Sequence, residues 1–221
     1  MTHSTQGDWT TAPLVALDLE GSGAQDHDDE AILEIAVVPI TAGRPDISAA
    51  YSTLINPGRK IPHRHWISPG LTTPVLAAAP DPAEVEPELA RRVNGHAVVG
   101  HNVAVDWRLL HRRYPAIAPA ALIDTLRLAR RLNLGSKNSL SALTAHLGLT
   151  AQVEGLAAGS QPHRALWDTV ATALLLPTLI ERCWPSGATL DTVLEAAAIN
   201  LSAGPARPGA QNVQDTLFGP A

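Results

Sequence analysis

The 221-residue chain carries 16 Lys+Arg against 21 Asp+Glu, a net charge of −5, with 45% hydrophobic and 17% charged residues. This balance fits one ordinary domain with a large core plus an appendage, and it argues against tight charge-driven binding to polyanions, although a local basic groove stays compatible with it. The lone Cys183 excludes an internal disulfide framework and a cysteine-built zinc cluster.

Residues 1–13 are polar and read as a disordered tail. They lack a basic stretch followed by an apolar one, so no secretory signal is expected. No uninterrupted apolar run of about 18 residues occurs anywhere, so no membrane span is expected either. With one cysteine, the expectation is a cytoplasmic protein.

Leu14 to Leu19 reads as a buried strand, followed by the Gly- and Asp-rich loop GSGAQDHDDE. Ala31 to Ile40 and Ala50 to Ile55 read as two further strands, with antiparallel pairing among the long ones. Residues 56–82 are dense in proline and suit an ordered loop with short helical pieces. Ala83 to Val93 then reads as a helix, and Ala97 to Gly100 as a short strand. Asn102 is placed to cap a helix from Val103 to about Arg113. Ala121 to Ile123 suits a strand, Thr125 to Leu132 a helix, and Ser139 to Leu147 a helix stopped at Gly148. Residues 151–162 read as a Gly- and Ala-rich loop, and Ala165 to about Arg182 as a strongly apolar helix. Ala188 to Ile199 suits one more amphipathic helix, and SAGPARPGAQN a linker. Strands first, then alternating helices and short strands, predict an α/β domain over 14–182: a mixed β-sheet with helices on both faces. Residues 183–221 form a C-terminal extension in this reading.

Four carboxylates and one histidine stand out. Asp18 and Glu20, two apart on a strand, point to one face and repel each other unless a cation lies between them. Asp106 sits among valines and leucines in VAVDWRLL, where a bare charge is costly. His163 and Asp168 are five apart; two helical positions at that spacing would diverge, so they can share a site only if His163 lies in the loop or first turn. Taken together, the acidic groups suit two divalent ions of the oxygen-seeking kind, magnesium or manganese. Such a pair can activate a water and stabilise a leaving oxygen, with His163 accepting the water's proton. That is equipment for hydrolysing a phosphodiester.

These segments resemble the DEDDh 3′–5′ exonuclease family, the group that includes the epsilon proofreading subunit of bacterial DNA polymerase III and RNase T. LDLEGSG resembles its first motif, GHNVAVDWRLL its second and HRALWDTVATALLL its third. IDTLRLARRLNLGSKNSLSALTAHLGL and IPHRHWISPGLTTPVLAAAP are similar to the family as well. The resemblance implies a ribonuclease-H-like fold and metal ligands at Asp18, Glu20, Asp106 and Asp168, with Asp18 bridging two ions and His163 as general base. It implies a cradle for a 3′-terminal nucleotide at Leu19, Gly21, Ser22 and Gly23, with Asn102 nearby. The substrate implied is the 3′ end of single-stranded DNA, or of RNA, and the product nucleoside 5′-monophosphates. Gly21 and Ser22 depart from the two threonines common after the first-motif glutamate. Trp107 and Trp167, beside catalytic aspartates, suit core packing or a stacking surface for a base.

The segment QDTLF at 214–218 resembles the short peptide by which bacterial replication and repair proteins bind the sliding clamp, with Gln214, Leu217 and Phe218 as anchors. This favours DNA and a proofreading or repair setting. An RNA 3′-end-trimming enzyme, a trimmer of CRISPR prespacers and a non-catalytic clamp-tethered adaptor are the alternatives.

Overall fold

The computed structural model describes residues 7–135 and 137–201. A seven-stranded mixed sheet runs through it. Strand β1 (Leu14–Gly21) is central: it pairs antiparallel with β2 (Ile32–Thr41) and parallel with β5 (Ala97–Gly100). Beyond β2 lie β3 (Arg44–Pro45) and β4 (Tyr51–Leu54), both antiparallel to it; beyond β5 come β6 (Ala121–Asp124), parallel, and β7 (Ala198–Ile199), antiparallel.

Alternation along β1 separates two cores. Leu14 and Ala16 face a cluster with Ala173, Leu176 and Ile180 of the long helix α7 (Ala165–Cys183), joined by Leu128 of α4 (Thr125–Leu132) and Leu143 of α5 (Leu140–His146). Val15 and Leu17 face the other layer, with Val85 and Leu89 of α2 (Pro82–Val93) and Leu109 and Leu110 of α3 (Ala104–Arg113). Each layer gives up apolar surface to the same sheet, so helices cover both faces and the fold is the ribonuclease-H-like α/β class expected. Helix α1 (Thr73–Ala77) lies in the proline-rich stretch, its Leu76 packed with Leu33, Ile61 and Leu71.

Five sequence expectations need correction. Residues 7–13 are part of the fold: Asp8 bridges to Thr189, and the Trp9 ring is buried among Leu14, Ile40 and Val193. The stretch 151–162 contains a helix, α6 (Thr150–Leu156), which buries Val153 against Trp167; Leu149, Val153 and Leu156 form an apolar stripe masked by the surrounding Ala and Gly. The last helix, α8 (Leu190–Ala197), ends earlier than expected because Ala198 and Ile199 turn into β7. The domain therefore does not close at residue 182, since α8 and β7 complete its core and sheet. Fifth, Asn102 does not cap α3 with its side chain: it holds φ +63 and its backbone N–H donates to Asp124, while α3 begins at Ala104.

Candidate active site

The C-terminal end of β1 carries the acidic site. Asp18 and Glu20 share the parity of Leu14 and Ala16, so they face α7. Asp168 lies in the first turn of that helix. Oxygens of Asp18, Glu20 and Asp168 all fall within 4.8 Å of one another. Three carboxylates at this separation fit a hard divalent cation, which takes oxygen ligands and relieves their repulsion. Asp106 reaches the same end from the opposite layer, through α3. It stands outside the group of three, yet its charge is the strongest repulsion felt by Asp18, and its carboxylate accepts the backbone N–H of Leu19.

Electrostatics without cations is unfavourable. Burial, then repulsion from Asp106, Asp168, Glu20 and Glu34, pushes Asp18 well above the usual carboxylate range. Burial raises Glu20 likewise, against a 2.7 Å hydrogen bond donated by the Ser68 hydroxyl. Burial also lifts Asp106 and Asp168 to about 7 each, opposed by backbone N–H groups of Asp106 and Leu19 for the first and of His163 for the second. Groups so perturbed in one place mark a functional site.

His163 sits just before α7, in the loop as the spacing required, with φ +64. It is exposed, and partial desolvation lowers its pKa below the ordinary value, favouring the neutral imidazole that can accept a proton. Sequence reasoning missed Ser68, Glu34 and Arg164. Arg164 follows His163 and grips Glu34 of β2 at 2.7 and 3.0 Å.

The loop after β1 differs from the cradle expected of it. Leu19 and Gly21 are partly exposed, but Ser22 is fully enclosed. Its hydroxyl donates to Asp26 at 2.6 Å and accepts the Ala31 N–H at 3.0 Å. Gly23 is buried beneath Trp66, at φ +106; a Cβ there would come within 2.5 Å of the indole nitrogen. Ser22 and Gly23 thus shape the loop from inside and are not at its surface.

The acidic segment that follows is bound by the protein's own arginines. Arg59 and Arg64 both reach Asp26, at 2.5 and 2.6 Å, and Arg64 also donates to the Ser22 carbonyl. Burial works against the Asp26 charge, but hydrogen bonds from Ser22, Arg59 and Arg64 outweigh it and hold its carboxyl at about 2. Arg108 grips Glu30 at 2.7 and 3.0 Å, Arg112 takes the His27 carbonyl, and Arg113 takes those of Asp28 and Glu30. Trp107 and Trp167 are 8% and 2% exposed, so both are core residues and not stacking surfaces.

The exonuclease family profile matches residues 15–176, which span β1 through most of α7. The chain belongs to the exonuclease family. It is 35% identical over 177 residues to a DNA polymerase III subunit epsilon-like protein of Rhodobacter capsulatus, covering 76% of this chain and 24% of that one. It is 30% identical over 182 residues to the DNA polymerase III subunit epsilon of Aquifex aeolicus, covering 77% and 82%. Among solved structures, Exonuclease X in complex with 5′ overhanging duplex DNA superposes with a TM-score of 0.62 at 30% identity, over 83% of this chain and 98% of that one. This exonuclease domain thus spans about a quarter of the Rhodobacter relative but most of the Aquifex one. An acidic cluster able to take divalent metal is in place, and no helix among the described residues is long and apolar enough to cross a membrane.

Proposed function

We propose that the chain is a metal-dependent 3′–5′ exonuclease acting on single-stranded DNA ends, of the proofreading or repair type, and releasing nucleoside 5′-monophosphates in the cytoplasm. The observation that carries this reading is the convergence of Asp18, Glu20 and Asp168 within 4.8 Å at one end of the sheet, with His163 at the mouth of α7. The relatives named for DNA polymerase III epsilon and the likeness to Exonuclease X bound to DNA support DNA over RNA.

In this mechanism Asp18, Glu20 and Asp168, with Asp106 at the same end of the sheet, would hold two magnesium or manganese ions. When bound, these supply Lewis acidity at the scissile phosphate and ease deprotonation of the attacking water. Ser68 keeps one Glu20 oxygen aimed by its hydrogen bond. Neutral His163 accepts the proton that the water gives up as its oxygen bonds to phosphorus and the bond to the 3′ oxygen breaks. Leu19 and Gly21, partly exposed beside Glu20, line the place of the terminal nucleotide, with Asn102 near α3 completing it.

Digestion of 3′- and 5′-labelled DNA and RNA oligomers with manganese, magnesium or chelator tests the reading. The expected result is stepwise loss from the 3′ end of DNA that chelator stops; release from the 5′ end, or cleavage indifferent to chelator, would sink it. The anchors Gln214, Leu217 and Phe218 lie outside the described residues. We assign them to the sliding clamp, and a peptide of residues 210–221 that fails to bind a bacterial clamp would remove that assignment.

A further inference from the structure

Glu34 is a further carboxylate beside the ligand cluster. It lies on β2 directly across from Glu20, its side chain is 6% exposed, and its charge adds to the repulsion on Asp18, Glu20 and Asp168. An acid so placed would compete for a cation unless another partner held it. Arg164 is that partner: its Nε and Nη2 meet the two Glu34 oxygens in a fork. The same Glu34 oxygen that meets Nε accepts the N–H of Ala165 at 3.4 Å, the first residue of α7. One carboxylate thus ties the neighbouring strand to the entry of the helix that carries Asp168, where the helix dipole favours negative charge.

His163 directly precedes this anchor. Its φ of +64 is left-handed, which a residue with a Cβ adopts only where its surroundings hold it. From there its backbone N–H donates to the Asp168 carboxylate. Resting on the exonuclease reading, we propose that Glu34 and Arg164 form a positioning pair. The fork fixes the entry to α7, and with it the backbone of His163 beside Asp168. That sets where the imidazole of the general base can reach, while neutralising a carboxylate that would otherwise bid for metal. A buried ion pair contributes little net stability against an apolar replacement, so stability alone does not account for this one.

The test replaces both charges together, Glu34→Gln with Arg164→Gln, so that neither is left buried alone. Two measurements follow: kcat and KM on a 3′-labelled single strand with manganese, and amide hydrogen exchange over residues 160–168 without metal. The expected result is a fall in kcat of about 10- to 100-fold, as for misplacement of a catalytic group by about an ångström. KM and the manganese half-saturation should stay within about twofold, and exchange at residues 163–166 should rise roughly tenfold through local opening. Unchanged kcat, a loss carried in KM or in manganese half-saturation, or unchanged exchange would each overturn the proposal. If the double variant does not fold, Arg164→Lys, which keeps the charge but loses the fork, is read by the same criteria. A wild-type protein that leaves the labelled strand uncut would sink the activity reading, while the exchange comparison would still decide the positioning of residues 163–166.

Discussion

At Asp18, burial and four neighbouring acids all oppose the charge. Asp18→Ala is expected to lower metal-dependent cleavage by roughly 10³-fold or more, since several kcal/mol of transition-state stabilisation depend on held cations. In chelator the same variant should melt no lower than wild type, because it removes repulsion. His163→Ala should cost about 10²- to 10⁴-fold in rate and leave manganese half-saturation in place, the signature of a lost proton acceptor. A variant Asp18→Ala that degrades labelled strand at the wild-type rate would refute the assignment. Asp18 was legible as a candidate because a charge is anomalous at the end of an apolar run, and His163 because it stands five positions before Asp168. Ser68 and Arg164 were not legible, since their partners Glu20 and Glu34 lie 48 and 130 positions away and nothing local marks the pairing.

At the scale of elements, strands and long helices followed their periodicity, while the pieces that misled were short or joined the core through one residue. Helix α6 has seven residues and a single buried side chain, Val153, so its stripe is thin against an Ala- and Gly-rich background. The ordering of residues 7–13 rests largely on Trp9, a lone aromatic in a polar stretch whose partners lie on β1, β2 and α8. Removing that ring opens a void that these elements cannot readily fill. Trp9→Ala is expected to cost about 3 kcal/mol in urea unfolding; a change below about 0.5 kcal/mol would mean that the segment is dispensable to the fold. The β7 pairing was hidden for another reason: two residues of strand give no alternation to read, and only the adjacent β6 edge defines them.

For the whole molecule, the raised carboxylates make metal-free stability a function of pH. A carboxyl whose pKa is higher folded than unfolded binds more protons when folded, so its contribution is present below the unfolded value and is lost as pH rises through the folded one. With Asp106 and Asp168 at about 7 and unfolded aspartate at about 3.9, the window is roughly pH 4 to 7. The melting temperature in chelator should therefore fall across that window, by on the order of 5 °C, and manganese at pH 7.5 should restore it; a flat profile in chelator would contradict the site's electrostatics. The arginine ring around residues 22–30 has a different consequence. Guanidinium groups already held by the protein's own carbonyls and carboxylates are not free to neutralise phosphates, so few of the cations condensed on a DNA strand are released when it binds. Adhesion to a DNA strand should consequently be only weakly ion-sensitive: a plot of log affinity against log salt should slope at about −2 or shallower, equivalent to about three neutralised phosphates.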